Sequence, residues 1–245
     1  MTFLEHLEEL RVRLIHSLLA LLVGMIACWR FREWLFHQLT QPLRNAFPGV
    51  ELIVTSITEP VMLYMKMSFF AGIFVVSPYL LYQVWAFISP GLYRNEKLYA
   101  IPFIGFGSLF FIAGAAFGHF YLIPATSGFL LAFAGTDMKV MPKVGEYFEF
   151  YSWFLLALGV MFQTPVLMGV VARIGLVTPG FLLRNFKYAF LAAFVIAAVL
   201  TPTPDAVTQT MLAAPMIVLY LLGVAVAWVV KPRRAEEPAA SSTPA

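Results

Sequence analysis

Charge is what this sequence has least of. Of 245 residues only 12% are Asp, Glu, Lys or Arg, while 61% are hydrophobic. A soluble domain carries about twice that charge, so too few charged side chains exist to coat a globule in water. A soluble enzyme, a disordered chain and a collagen-like fibre are all excluded. Cysteine is nearly absent too: Cys28 stands alone, which rules out an internal disulfide and any cysteine-built zinc or iron–sulfur site. His6, His16, His37 and His119 are scattered, so neither a metal nor a cofactor is expected. No G-x-x-x-x-G-K-[ST], H-E-x-x-H or G-x-S-x-G motif occurs, so nothing points to an enzyme, and ATP hydrolysis within this chain does not power its work. The net charge of +3 leaves no broad basic face for nucleic acid. What remains is an all-α integral membrane protein, with room for five to seven spans of roughly 20 apolar residues.

Six apolar runs stand out, at about 14–36, 61–89, 98–123, 148–172, 186–200 and 206–230. The first is preceded by an amphipathic stretch in which Phe3, Leu7, Leu10 and Leu14 share one face and glutamates the other. A cleaved leader ending at Cys28 is the competing reading. Its n-region should be basic, yet this one holds three glutamates against two arginines. The fifth run is the awkward one, covering about 22 Å at 1.5 Å per residue against about 30 Å of hydrocarbon. Either it thins the bilayer around it, or neighbouring helices shield it.

Basic residues decide between a span and a re-entrant loop. With six spans and both termini in the cytoplasm, the inside segments hold Arg11, Arg13, Arg94, Lys97, Arg173, Arg184, Lys187, Lys231, Arg233 and Arg234. The outside segments hold only Arg30, Arg32, Arg44, Lys139 and Lys143. That is the asymmetry the positive-inside rule demands. Residues 1–230 then form one membrane domain and 231–245 a cytoplasmic tail, disordered over its Ala-, Ser-, Glu- and Pro-rich end Ala235–Ala245. Two long outside loops are expected at roughly His37–Pro60 and Pro124–Tyr147.

Few polar residues lie inside the spans. Lys66, near the start of the second, can snorkel to the interface. Gln163, near the middle of the fourth, must hydrogen-bond to something; it is either helix–helix glue or a site. Gly114-x-x-x-Gly118 predicts helix packing, internal or between subunits. Pro78, Pro102, Pro165 and Pro215 predict four kinks. On the inside, Glu5, Glu8, Glu9 and Arg11 precede the first span, and Arg94, Asn95 and Glu96 link the second to the third. Helical pairing of Glu8 with Arg11 and of Glu9 with Arg13 would account for the first cluster. Two carboxylates at one interface also suit a pair of guanidinium groups, because arginine binds carboxylate in a bidentate fork.

Three segments carry a resemblance. His6-Leu7-Glu8-Glu9-Leu10-Arg11-Val12-Arg13-Leu14 resembles the N-terminal signature of the TatC family, the multispanning core of the twin-arginine translocase. Ser77–Ile88 with Ser89-Pro90-Gly91-Leu92-Tyr93-Arg94-Asn95-Glu96-Lys97 is similar to its most distinctive stretch. Leu200-Thr201-Pro202-Thr203-Pro204-Asp205, with Gln209 and Ala214-Pro215, resembles its turn between the fifth and sixth helices. The likeness runs in order over about residues 2 to 230.

The resemblance implies a glove-like concave bundle with short fifth and sixth helices in the bacterial cytoplasmic membrane. It implies a receptor for twin-arginine signal peptides of folded cargo, driven by the proton-motive force. Its partners would be membrane lipid, single-span TatA- and TatB-type proteins and further copies of itself. By residue match, Glu9 and Glu96 would bind the two signal arginines, and Arg11, Phe87 and Tyr93 would shape that surface. Gln163 would dock a polar group of a partner helix; Pro42 and Asp205 would mark turns of structural or functional importance. Two residues depart from the family pattern. Gln163 stands where a glutamate is common, and an amide cannot titrate; His119 stands where many relatives have tyrosine. The rival class is a carrier or channel for a small polar solute, with Gln163 and Lys66 lining its path.

Overall fold

The computed structural model describes residues 3–46, 49–88, 100–133, 140–201 and 205–230. The described residues are almost wholly helical, in the order α1 (Phe3–Trp29), α2 (Arg32–Ala46), α3 (Glu59–Ile88), α4 (Ala100–Phe117), a π-helical turn (Gly118–Leu122), α5 (Ile123–Ala132), α6 (Val144–Met161), α7 (Thr164–Arg173), α8 (Pro179–Arg184), α9 (Phe186–Leu200) and α10 (Ala206–Val230). Five helical segments are long and apolar enough to cross a membrane, and α9 is a shorter apolar helix. The expected tail lies outside the described residues.

Small residues set the packing. Lipid is as apolar as leucine, so helices in a bilayer associate through close van der Waals fit, not through exclusion of water. The antiparallel helices α1 and α3 meet at Gly24 and Gly72, where a Cβ on Gly72 would fall 2.9 Å from the Met25 backbone nitrogen. The Gly114-x-x-x-Gly118 pair is an internal contact. A Cβ on Gly114 would sit 2.6 Å from the Leu158 carbonyl oxygen, and one on Gly118 would sit 2.8 Å from Leu158 Cδ1. Around this seam Ile123, Phe154, Leu158, Leu212 and Ala213 form a buried core that joins the third, fourth and sixth spans.

Several expectations change. The first span ends at Trp29, not near Phe36: Arg30 and Phe31 form a turn, because Arg30, Arg32 and Glu33 cannot continue into hydrocarbon. The segment expected as a loop from His37 is instead half helix. α2 buries Leu39, Pro42 and Leu43 against Leu63, Met67, Val144, Tyr147 and Phe148 at the ends of α3 and α6. Pro42, expected at a turn, therefore sits inside a helix. The third span runs past Pro124 to Ala132. A proline ring clashes with the carbonyl four residues back, here Phe120, and the wider π turn over Gly118–Leu122 accommodates it.

The other prolines act unevenly. Pro78 and Pro215 lie inside the continuous helices α3 and α10, and Pro102 lies in the first described turn of α4, where no N–H partner is needed. Only Pro165 accompanies a break, between α6 and α7. The two halves of that fourth span have different neighbours: α6 packs on α4, and α7 packs on α10. α9 is short, with 15 residues. The sixth helix is not: its apolar run is uninterrupted, and α10 has 25 residues.

The N-terminal ends of α3 and α6 are tied by backbone. Ile53 N–H donates to the Pro142 carbonyl, and the Ile53 carbonyl accepts from Val144 N–H, both at 3.0 Å. The Glu59 carboxylate receives the N–H groups of Thr55 (2.7 Å), Ser56 (3.3 Å) and Gly145 (3.1 Å). Glu59, the first residue of α3, thus binds the backbone that leads into its own helix and the first turn of α6.

Candidate functional site

The helix signal that starts at Phe3 runs without interruption into the first span, so the glutamates before that span are held on a rigid rod. Glu5, Glu8 and Glu9 recur at helical spacing and, with Val12, Arg13 and His16, line an open cavity of 430 Å³. Three carboxylates face one arginine there, which makes the cavity attractive to cations.

Glu9 is tied to its own helix. Its Oε1 accepts from Arg13 Nε at 3.0 Å and also from Arg13 Nη2, the pairing that i,i+4 spacing predicts. Arg13 Nη1 donates to Gln83 Oε1 at 3.3 Å, and Gln83 Nε2 donates to the Tyr79 hydroxyl at 2.6 Å. Gln83 and Tyr79 lie one turn apart on α3, so a polar chain joins the first two spans. The side chains of Arg13 and Glu9 are only 24% and 18% exposed. Glu9 Oε2 is buried and has no hydrogen-bond partner among the described residues. A buried carboxylate oxygen without a donor is costly, and a charge-assisted N–H would relieve it.

One turn earlier His6 stacks on Phe87, with ring centroids 4.4 Å apart and planes 19° apart. Phe87 is thereby brought to the same end of the bundle as Glu9. Arg11 is exposed and shows no ion pair among the described residues; the Glu8–Arg11 pair that spacing suggested is likewise not among them. Tyr93 and Glu96 lie outside the described residues. Sequence reasoning assigned no role to Gln83 or Tyr79, although their i,i+4 spacing on one helix placed both on one face.

Gln163 sits at the α6–α7 break, where Thr164 and Pro165 start a new helix. Its Nε2 donates to the Gly107 carbonyl at 2.7 Å, and its Oε1 would lie 3.2 Å from a Cβ on Gly107. It is helix–helix glue between the third and fourth spans. An 80 Å³ crevice beside it is lined by Leu81, Trp85, Ile104 and Val166. Lys66 belongs to a different cavity, where it pairs with Glu149 at 2.9 Å; it has a partner and does not merely snorkel. The two residues of the carrier reading thus line different cavities.

His119, on the π turn, has Nδ1 2.8 Å from the Tyr151 hydroxyl. Asp205 caps α10, its Oδ1 accepting Thr208 N–H at 2.7 Å. Gln209 Nε2 donates to the Phe194 carbonyl at 2.9 Å, tying α10 to α9. Among the described residues no group of three or more His, Cys, Asp or Glu side chains is placed to hold a metal ion.

Comparison with known proteins places this arrangement. The family model for TatC, Sec-independent protein translocase protein, matches residues 5–215. A Sec-independent protein translocase protein TatC of Koribacter versatilis is 39% identical over 237 residues, 95% of this chain and 87% of that protein. Its counterpart from Desulforapulum autotrophicum is 42% identical over 223 residues, 91% and 82% of the two chains. A crystal structure of the twin-arginine translocase receptor TatC superposes with a TM-score of 0.79 at 36% identity, covering 92% of this chain and 99% of that one. A second, in DDM, gives 0.80 at 37% identity over 91% and 99%.

Proposed function

Since the chain belongs to the TatC family, we propose that it is the twin-arginine receptor of a Sec-independent translocase, a multi-pass protein of a bacterial inner membrane and not an enzyme. Both termini face the cytoplasm, in keeping with ten basic residues in the inside segments against five outside. The ligand is the signal peptide of a folded cargo protein, and its two arginines go to Glu9 and Glu96. Arg11, Phe87 and Tyr93 shape the surface around them.

The observation that carries this reading is Oε2 of Glu9, buried and without a partner among the described residues. Oε1 is already held by Arg13, so an incoming guanidinium takes the vacant oxygen. Arg13 stays in place because Gln83 and Tyr79 hold its far side. A lysine ammonium supplies charge but not the rigid planar set of five N–H donors, which can serve the vacant Glu9 oxygen and a neighbouring acceptor at once. The His6–Phe87 stack is an apolar shelf beside the acidic cavity, suited to the residues that follow the arginine pair.

TatA- and TatB-type single-span proteins and further copies of this chain complete the machinery, which the proton-motive force drives. Gln163 keeps its Oε1 for a donor on a partner helix, while its amide N–H stays on Gly107. Asp205 and Pro42 act structurally, one as the cap of α10 and the other inside the helix that covers the N-terminal ends of α3 and α6.

The test is binding of a twin-arginine signal peptide to the purified full chain, beside a twin-lysine peptide and beside Glu9→Ala and Glu96→Ala. Losing one charge-assisted pair costs about 1.5 to 3 kcal/mol, roughly ten- to a hundredfold in affinity. Arginine-selective binding that weakens by that much in both variants is expected. Equal binding of both peptides, indifferent to either glutamate, would overturn the receptor assignment.

A further inference from the structure

The Lys66–Glu149 ion pair is 2.9 Å long, yet its side chains are 56% and 67% exposed. Both residues line an open groove of 710 Å³, a volume within the range of about 300–1,000 Å³ usual for ligand sites. Phe150 and Trp153 line it too, and Leu200 borders the same space. Leu200 ends α9, and Asp205 caps the start of α10. A carboxylate stays out of hydrocarbon, so the polar boundary of the membrane on this side runs near the end of α9. The ion pair borders the same cavity, so that boundary passes it too. α9 spans only about 22 Å at 1.5 Å per residue, which draws the boundary inward.

We infer that this cavity binds one phospholipid whose head carries both a phosphate and a primary amine, from the leaflet opposite the N-terminus of α1. The phosphate meets the Lys66 ammonium and the amine meets the Glu149 carboxylate, two dipoles set antiparallel. Glu146 adds a second carboxylate, itself held by Lys143 at 3.2 Å, so a purely anionic head meets repulsion. A trimethylated amine brings charge but no N–H donor for Glu149. One acyl chain lies against Phe150 and Trp153, with the indole at the interfacial depth that tryptophan favours.

The test reads tryptophan quenching in phosphatidylcholine vesicles doped at low mole fraction with one lipid brominated on its acyl chains. One full-length protein keeps only Trp153; another keeps only Trp228, which is 71% exposed on α10 and reports the bulk lipid. Brominated phosphatidylethanolamine is expected to quench Trp153 several-fold more than brominated phosphatidylglycerol or phosphatidylcholine, with Trp228 indifferent to the head. Lys66→Gln and Glu149→Gln should each return Trp153 to the bulk value, while unchanged Trp228 quenching reports an intact bundle. Equal quenching by all three lipids, or a preference that survives both substitutions, overturns the inference. Trp153 shielded from every lipid overturns it as well, in favour of a protein helix filling the cavity.

Discussion

The two ends of the bundle are held together by different means. At the end where α3 and α6 begin, the ties are backbone: Ile53 exchanges hydrogen bonds with Pro142 and Val144, and one carboxylate, Glu59, serves three N–H groups. Beneath them α2 buries Leu39 and Leu43 against α3 and α6. At the N-terminal end the ties are long side chains, running from Glu9 through Arg13 and Gln83 to Tyr79. Backbone groups are placed by the path of the chain and keep their partners as long as the helices keep their places. A side-chain chain at an open cavity can change partners without unfolding anything. One end is built for permanence and the other for exchange.

That contrast can be broken from either side. The largest effect belongs to Leu43→Ala, which empties a buried position under the cap. It should cost about 2 to 5 kcal/mol of stability, read as a lower unfolding temperature, and leave signal-peptide affinity at its parent value. Glu9→Gln should do the reverse. Affinity for the arginine peptide falls roughly tenfold or more, by about 1.5 to 3 kcal/mol for a charged hydrogen bond, while the unfolding temperature barely moves. Gln83→Leu removes the partner of Arg13 and frees that arginine to drift. Affinity should drop by about 0.5 to 1.5 kcal/mol, chiefly through slower association of a site that must first be organised. The smallest effect is Gly145→Ala, whose new Cβ would lie 2.9 Å from Glu59 Oε1 and push the carboxylate off its N–H. Faster amide exchange at Gly145 and Val144, with peptide binding unchanged, would sharpen the contrast. A change in peptide affinity there would show that the two ends are coupled.

Much of this architecture is legible in the sequence, for reasons that differ by residue. The spans are readable because an apolar run of about 20 residues matches the thickness of bilayer hydrocarbon, and the Glu9–Arg13 pair follows from i,i+4 spacing. Gln83 and Glu149 are not readable as partners, since they lie 70 and 83 residues away from Arg13 and Lys66; only the fold sets such distances. The breaks are harder still. α2 carries a proline and few apolar positions, so it reads as loop until α3 and α6 supply a surface for it. Pro124 looks like the end of a helix, and only a π turn lets the chain continue past it. The hold of Glu59 on Thr55 and Ser56 is local in sequence, but its bond to Gly145, 86 residues away, is set only by the fold. Of the proposed arginine site, Glu9, Arg11 and Phe87 lie within the described residues and share one end of the bundle.

The break at Phe162 and Gln163 has a mechanical meaning. An unbroken span transmits tilt and torque along its whole length, whereas this one is interrupted at mid-membrane. Because α6 is bolted to α4 through Gly114 and Leu158 while α7 rides on α10, the two halves of the fourth span answer first to different neighbours. A load applied to α10 reaches α7 directly and reaches α6 through the core that Phe154 and Leu158 share with Leu212 and Ala213. At the joint itself the Gln163 amide on the Gly107 carbonyl is the polar tie that seats the break on α4.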